Sequence, residues 1–249
     1  MADPLLQMHR VSIAFGGLRA VQDVSLALHA GTLAALIGPN GAGKTTLFAL
    51  MSGFLAPDDG RILFEGRDIT GRAPHLNARD GLARTFQIVQ PFAAQTVRDN
   101  IAVGAHLHIA SRTAALAEAE RVAERVGLAP QLDQPAADLT VAGRKRLELA
   151  RALATRPALL LLDEVLAGLN PQEVAAMIPV IQGVATSGVT VLMIEHVMQA
   201  VMHLAKQVWV LSQGRLIAEG PPSSVTADRR VIEAYLGHGA AARLQAMTA

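Results

Sequence analysis

Residues 38–46 read GPNGAGKTT and lie between the apolar run LAALI and the run TLFALMSGF, which reads as a helix. They match the pattern G-x-x-x-x-G-K-[ST], whose glycines let the backbone bend so that successive amides point at phosphate oxygens. The amino terminus of the following helix adds partial positive charge. A purely structural glycine turn is the alternative. Strand, loop and helix together predict an α/β core that binds a nucleotide phosphate.

Two side chains of this loop have specific expected roles. Lys44 should reach the β- and γ-phosphates, and Thr45 should place its hydroxyl on Mg²⁺. We therefore expect a nucleoside triphosphate and Mg²⁺ as ligands. The residues expected to contact the nucleotide are Gly38, Pro39, Asn40, Gly41, Ala42, Gly43, Lys44, Thr45 and Thr46.

A second candidate group ends the apolar run LLLLDE. Asp163 and Glu164 lie at the carboxyl end of a predicted buried strand, where the ligands of open α/β sheets bind. We expect Asp163 to hold the metal, directly or through water, and Glu164 to polarise an attacking water. Alone, such a pair more often marks a strand end in solvent. The pair becomes a candidate site because a phosphate loop is present to share the metal.

The other apolar segments predict two groups of strands. LQMHRVSIAF, VQDVSLAL and RILFEGRDI alternate, which suggests an antiparallel sheet, whereas LAALIG, LLLLD and VTVLMIE are continuous, as in covered parallel strands. Residues 88–157 read as mainly helical, QVWVLSQGRLIAEG as a hairpin turning at Gln213-Gly214, and DRRVIEAYLG as a closing helix. This pattern predicts a mostly parallel sheet flanked by helices, with an antiparallel β subdomain and a helical subdomain. One domain over residues 1–237 and a tail at 238–249 are expected.

Composition limits the classes of partner. The 249 residues carry 22 Lys and Arg against 21 Asp and Glu, so charge gives no reason to expect nucleic acid. The triplet Arg144-Lys145-Arg146 is interpreted as a solvated helix face. The lack of cysteine excludes disulfides and cysteine-based metal sites and fits a reducing cytosol. We find neither a signal peptide nor an apolar run that could span a bilayer, so membrane contact is expected through a partner.

The motifs above and LTVAGRKRLELARAL at residues 139–153 resemble those of the ATP-binding cassette (ABC) ATPases, the nucleotide-binding subunits of ABC transporters. The resemblance implies a P-loop NTPase core that uses ATP and Mg²⁺. It implies that Phe15 stacks on adenine, that Gln87 contacts Mg²⁺ or the water and senses a membrane subunit, and that His196 contacts the γ-phosphate. Without it, Phe15 reads equally well as a strand-core aromatic, and His196 as a structural histidine.

The family's signature, usually LSGGQ, is altered here to Leu139-Thr140-Val141-Ala142-Gly143. The resemblance implies that this segment acts in trans, with a helix amino terminus on the γ-phosphate bound to another subunit, and that Thr140 and Ala142 contact nucleotide. Thr140 keeps the capping ability of serine, whereas Cβ atoms at Val141 and Ala142 limit close approach. We interpret the segment as an altered but working signature. A decayed signature or a merely amphipathic helix is the alternative.

Two further features bear on the resemblance. Val165 replaces the proline that commonly follows the catalytic glutamate, and Asn170 ends the loop AGLN where the family has a carboxylate. Asn170 can hydrogen-bond across a dimer, but it brings no charge. The pair His106-x-His108 is interpreted as two surface residues, because two imidazoles without further ligands make a poor metal site.

Within the family, FGGLRAVQDVSL, GLARTFQ, LDEVLAGLNP, MIEHVM and VIEAYLG resemble segments of the importer ATPases for branched-chain and other hydrophobic amino acids. This implies an ATPase that energises import and is held peripherally at the cytoplasmic face of the inner membrane. The implied partners are a second, different ATPase chain, two transmembrane permease subunits and, indirectly, a periplasmic binding protein. Importers of urea, amides or aromatic acids, a soluble ABC protein and a catalytically silent partner remain alternatives.

Overall fold

The computed structural model describes residues 3–236. The tail predicted at residues 238–249 lies outside this range. The helices and strands, in chain order, are β1 (Leu6–Phe15), β2 (Leu18–Leu28), β3 (Leu33–Ile37), α1 (Lys44–Ser52), β4 (Asp59–Phe64), β5 (Arg67–Asp68), α2 (Pro74–Arg79), β6 (Leu82–Arg84), α3 (Val97–Ala105), α4 (Arg112–Val126), α5 (Val141–Ala154), β7 (Leu159–Asp163), α6 (Pro171–Thr186), β8 (Thr190–Ile194), α7 (Met198–Leu204), β9 (Gln207–Ser212), β10 (Arg215–Gly220), α8 (Pro222–Thr226) and α9 (Arg229–Leu236).

The chain divides into two compact units. The first comprises the described parts of Met1–Arg72 and Leu192–Ala249, and the second is Ala73–Val191. One boundary in sequence falls between Arg72 and Ala73, and the other falls within β8. The single domain expected over residues 1–237, with its inserted helical subdomain, stays a prediction.

The first unit contains the predicted antiparallel sheet, with the strand order β2-β1-β4-β5. Leu6 of β1 pairs with Leu28 on one side and with Phe64 on the other, and all three side chains are buried. Buried and exposed residues alternate over much of β2, as they do when one sheet face packs on a core. The antiparallel prediction for these segments is confirmed.

The same unit contains β3, β9 and β10. β3 and β9 run parallel, with Ala34 opposite Gln207, and all five residues of β3 are buried. β9 and β10 form the predicted hairpin. It turns at Gln213 and Gly214, whose φ angles of 49° and 76° suit the left-handed backbone of a tight two-residue turn. Continuous burial of β3 is therefore the pattern of a covered parallel strand.

The second unit combines parallel strands with a group of helices. β6 and β7 are parallel neighbours, with Leu82 opposite Leu159, and all five residues of β7 are buried. α3, α4 and α5 pack against one another, and each begins after a residue whose side-chain oxygen accepts a backbone N–H, namely Thr96, Ser111 and Thr140. The mainly helical character predicted for residues 88–157 is confirmed.

The helices of the described chain are short compared with the thickness of a bilayer. α6 has 16 residues and α4 has 15, whereas a spanning helix needs about 20 apolar residues. Between residues 3 and 236, no helix combines the length and the apolar character needed to cross a membrane.

Candidate nucleotide site

The phosphate loop joins β3 to α1, as the sequence predicts. Gly38 and Gly43 have positive φ angles, of 150° and 102°. A Cβ atom at Gly38 would lie 2.0 Å from the carbonyl oxygen of Leu211 in β9, and one at Gly43 would lie 2.3 Å from that of Ala20 in β2. The loop therefore packs directly against the backbone of two strands. Only glycine, which has no Cβ atom, fits at these positions.

Lys44 is the first residue of α1, and its side chain turns back onto the loop. Only 8% of the residue is exposed, and Nζ donates to the carbonyl oxygens of Gly38 at 2.7 Å and Pro39 at 3.0 Å. An ammonium held in this way is a ready counter-charge for a bound phosphate. Thr45 is exposed and Thr46 is half-buried, so the Thr45 hydroxyl is open to a ligand.

The closing helix α9 lies beside this loop, a contact that the sequence analysis missed. Arg230, Glu233 and Ala234 line the same surface cleft as Pro39 and Asn40 of the loop. Burial raises the pKa of Tyr235, and a hydrogen bond with the backbone of Gly38 opposes that shift. No motif within residues 229–236 signals such a contact.

Asp163 ends β7 and is almost wholly buried, with 2% of the residue exposed. Its Oδ2 accepts a hydrogen bond from Nη2 of Arg84 at 2.8 Å, and its backbone N–H donates to Oγ1 of Thr85 at 3.1 Å. Within the described residues, the buried Oδ1 has no hydrogen-bond partner. A buried carboxylate oxygen without a partner costs free energy, so this donor suits a metal ion or a metal-bound water.

Gln87 and Glu164 meet in the second unit, although 77 positions separate them. Nε2 of Gln87 donates to Oε2 of Glu164 at 2.7 Å. Glu164 has a φ of 49°, a left-handed backbone that costs a residue other than glycine on the order of 1 kcal/mol. Strain of this kind persists only where the surroundings hold it, and it is common at active sites.

The altered signature begins α5 as expected. Oγ1 of Thr140 accepts a hydrogen bond from the amide of Gly143 at 3.1 Å and so caps the helix. Val141 is 55% exposed and Ala142 is half-buried. The helix amino terminus is therefore formed without the glycines of the usual signature, because the capping hydroxyl and the backbone amides do not require them.

The basic triplet that follows was interpreted as a solvated helix face, and that interpretation is wrong for Lys145, whereas Arg144 is exposed and Arg146 is half-buried. Only 6% of Lys145 is exposed, and the guanidinium of Arg144 donates to the carbonyl oxygens of Leu139 and Ala137 at 3.1 and 2.9 Å. Arg146 donates to the carbonyl oxygen of Val126 at 3.2 Å. Because α5 packs on both α3 and α4, Lys145 and part of Arg146 face protein rather than water.

We expect Thr140→Ala to lower the free energy of unfolding by about 1 kcal/mol, because the amide of Gly143 loses its capping partner. Thr140→Ser keeps the oxygen and should stay close to the parent. Urea unfolding of the three proteins measures the difference. Equal stability of the Ala and Ser variants would contradict the capping role.

The remaining predicted residues lie as follows. Phe15 ends β1 with 47% of the residue exposed, so the strand-core alternative is wrong and its stacking on adenine stays a prediction. His196 is exposed just after β8. Asn170 caps α6, because its Oδ1 accepts from the amide of Glu173 while Oε2 of Glu173 accepts from the amide of Asn170.

The pair of histidines behaves as interpreted. His106 and His108 are both exposed, and Nδ1 of His106 lies 2.9 Å from the carbonyl oxygen of Ile109. No group of three or more His, Cys, Asp or Glu side chains that could hold a metal ion occurs in the described part of the chain. The metal ligands expected from the sequence include a threonine and a glutamine, so they do not form a group of three His, Cys, Asp or Glu side chains.

Comparison with known families matches residues 21–167, more than half of the chain, to the model described as ABC transporter. The chain belongs to the ABC transporter family. A second family model, described as branched-chain amino acid ATP-binding cassette transporter, matches residues 215–241 of this ABC protein.

Individual relatives of this ABC protein cover nearly its whole length. The high-affinity branched-chain amino acid transport ATP-binding protein BraF of Pseudomonas aeruginosa is 38% identical, over 95% of this chain and 99% of its own. The corresponding protein LivG of Escherichia coli K12 is 37% identical with the same coverage. These similarities identify the chain as an ABC ATPase.

Solved structures agree on the fold. A nucleotide-free ATP-binding cassette from an ABC transporter has a TM-score of 0.86 and 30% identity, over 94% of this chain and 100% of its own. An ADP conformation of an ABC cassette has the same TM-score and identity, over 95% and 100%. The predicted P-loop NTPase core, with its antiparallel sheet, is confirmed.

Proposed function

We propose that this ABC ATPase energises the import of branched-chain amino acids. The observation that carries the proposal is the match of residues 215–241 to the branched-chain amino acid cassette model. This segment begins in β10 and includes α9, so it is separate in sequence from the phosphate loop and the other ATPase motifs, which all ABC ATPases share. The 37–38% identity to amino-acid transport proteins over almost the whole chain supports the same conclusion.

In the proposed hydrolysis, a water attacks the γ-phosphorus of ATP, gives its proton to Glu164, and releases ADP and phosphate. Gln87, which is hydrogen-bonded to that carboxylate, orients it and the water. Lys44 and the loop amides hold the phosphates, and Phe15 stacks on adenine. His196 contacts the γ-phosphate from the end of β8.

Mg²⁺ fits the residues present. Asp163 offers a buried oxygen without a partner in the described chain, Thr45 offers an exposed hydroxyl, and Gln87 offers an amide oxygen. These are the oxygen ligands that Mg²⁺ prefers. When bound, the ion would neutralise charge on the β- and γ-phosphates during transfer.

The proposed assembly contains this chain, a second and different ATPase chain, and two transmembrane permease subunits, with a periplasmic binding protein that delivers the solute. Thr140 and Ala142 would contact the nucleotide held by the phosphate loop of the second ATPase. The chain would then lie at the cytoplasmic face of the inner membrane, held by its partners. The names of its relatives, as ATP-binding proteins of amino-acid transport, support this division of labour.

Solute-stimulated hydrolysis tests the proposal. The chain is co-purified with its membrane partners, and binding proteins loaded with different solutes are added to the reconstituted complex. We expect leucine, isoleucine or valine to stimulate ATP hydrolysis several-fold. Stimulation by urea, an amide or an aromatic acid instead would identify one of the other importers, and activity that never requires membrane partners would indicate a soluble ABC protein.

The chain alone should be a slow ATPase, since each site needs a phosphate loop from one subunit and a signature from another. We expect its rate to rise more than proportionally with protein concentration, or when the partner ATPase is added. A fast rate that is proportional to concentration would contradict a shared site. Steady-state hydrolysis over a concentration series measures this.

A further inference from the structure

Lys145 lies on the buried side of α5, one turn inside the helix. Its ammonium donates to two backbone carbonyl oxygens, that of Gln87 at 3.2 Å and that of Glu164 at 3.2 Å. Burying an ammonium is costly unless hydrogen bonds compensate, so a lysine here needs a reason beyond packing. The chain contains three lysines, and the other two, Lys44 and Lys206, lie in the phosphate loop and on an exposed surface.

Residues in the next two turns of α5 form hydrogen bonds with the loop around Gln87. Oε1 of Glu148 accepts a hydrogen bond from the amide of Phe86 at 2.5 Å, and Nη1 of Arg151 donates to the carbonyl oxygen of Gln90 at 3.0 Å. The guanidinium of Arg151 also lies 4.9 Å from the centre of the Phe92 ring. Burial raises the pKa of Glu148, whereas the Phe86 amide and the neighbouring cations oppose this shift. Several side chains of α5 therefore contact the loop around Gln87.

Lys145 differs from these neighbours because it reaches two segments at once. The residues whose carbonyls it binds are the two whose side chains meet, since Nε2 of Gln87 donates to Oε2 of Glu164 at 2.7 Å. One of them, Glu164, has the strained φ of 49° and needs support from its surroundings. A single ammonium thus fixes both backbones beneath the Gln87–Glu164 pair.

We propose that Lys145, on the signature helix α5, is a positioning residue. Its ammonium holds the backbones of Gln87 and Glu164 in one fixed arrangement. The proposal rests on the proposed function, in which Glu164 takes the proton from water. It adds that α5, the Gln87 loop and the backbone of Glu164 move as one body, because one ammonium on α5 donates to both of the other segments. The effect of Lys145 is exerted on turnover rather than on nucleotide affinity.

Lysine suits this position for a physical reason. Its compact ammonium carries three donors, enough for both carbonyls. Methionine has a similar unbranched shape but no N–H donor, so Lys145→Met removes the hydrogen bonds while keeping most of the packing. Glutamine carries two N–H donors without charge, so Lys145→Gln separates hydrogen bonding from charge.

The first experiment uses the assembled complex with its membrane partners. We expect Lys145→Met to lower solute-stimulated kcat by about ten- to a hundred-fold, with the Kd for ATP within about two-fold of the parent. Lys145→Gln should recover part of the loss. Lys206→Met, the same substitution at an exposed position, should behave like the parent. A normal kcat in Lys145→Met, or a loss of ATP affinity as large as the loss of kcat, would overturn the proposal.

A second measurement does not depend on turnover. Amide hydrogen exchange in Lys145→Met should become faster in residues 86–90 and stay unchanged in the phosphate loop. The reason is that the substitution removes only the hydrogen bonds that Lys145 donates. Unchanged exchange in residues 86–90 would also overturn the proposal. This result stands whatever the chemical role of Glu164, so it distinguishes a failure of Lys145 as a positioning residue from a failure of the proposed function.

A double-mutant cycle completes the test. If Lys145 acts through Glu164, adding Lys145→Met to Glu164→Gln should slow hydrolysis no further. Additive losses would show that Lys145 acts by another route. A Glu164→Gln variant with normal turnover would contradict the proposed function instead, and the hydrogen-exchange result would still decide whether Lys145 fixes the Gln87 loop.

Discussion

Glu164→Gln is expected to keep ATP binding and to lower solute-stimulated hydrolysis by about a hundred- to ten-thousand-fold. The amide can still accept the hydrogen bond that Gln87 donates, so the local arrangement should persist. It cannot take the proton of the attacking water. Single-turnover hydrolysis together with equilibrium nucleotide binding separates the two effects.

The matched control for this variant is Lys44→Ala, which should lose nucleotide binding itself. Lys44 supplies the buried positive charge at the phosphate loop, and alanine leaves the carbonyl oxygens of Gly38 and Pro39 without it. If both variants lost nucleotide affinity to the same extent, the assignment of binding to Lys44 and of proton transfer to Glu164 would be wrong.

Ala142→Asp is expected to block ATP-driven closure and hydrolysis at the site that α5 completes on the partner ATPase. Ala142 lies in the first turn of α5, next to the capped amino terminus that would face the partner's γ-phosphate. A carboxylate at that range should repel the phosphate by about 4 kcal/mol at an intermediate effective dielectric. ATP bound to this chain's own phosphate loop should be unaffected.

A labelled nucleotide crosslinked to each chain distinguishes the two sites, since the blocked nucleotide lies on the partner's loop. Ala142→Gly is the matched control, and it should be tolerated because it adds clearance at a cost of about 1 kcal/mol in helix propensity. Normal solute-stimulated turnover in a folded and assembled Ala142→Asp complex would mean that LTVAGRKRLELARAL is only an amphipathic helix.

Among the sequence predictions, those carried by consecutive residues agree best with the structure. The loop of residues 38–46 joins β3 to α1, and the continuous apolar runs become buried strands. The turn at Gln213-Gly214 was also predicted, and both residues have the positive φ that suits a tight hairpin. The roles proposed for individual site residues remain predictions that the experiments above address.

Contacts between distant segments were the ones the sequence analysis missed. Arg84 pairs with Asp163 across 79 positions, and Lys145 reaches the carbonyl oxygen of Gln87 across 58. One signal was available, since Lys145 and Glu148 share a helix face with the buried Leu149. Two opposite charges on an apolar stripe are unusual and could have suggested a buried polar contact.

The sequence by itself determined the phosphate loop, the strand types and the capped start of the signature helix, because each depends on the backbone preferences and burial of consecutive residues. Only the tertiary structure decided that the charges of Lys145 and Glu148 face the Gln87 loop instead of water. That outcome depends on the packing of α5 within its unit, which determines the backbone groups that a buried ammonium or carboxylate meets. Such pairings carry no periodic signature in the chain, since every residue type has a backbone carbonyl and every type except proline has a backbone N–H.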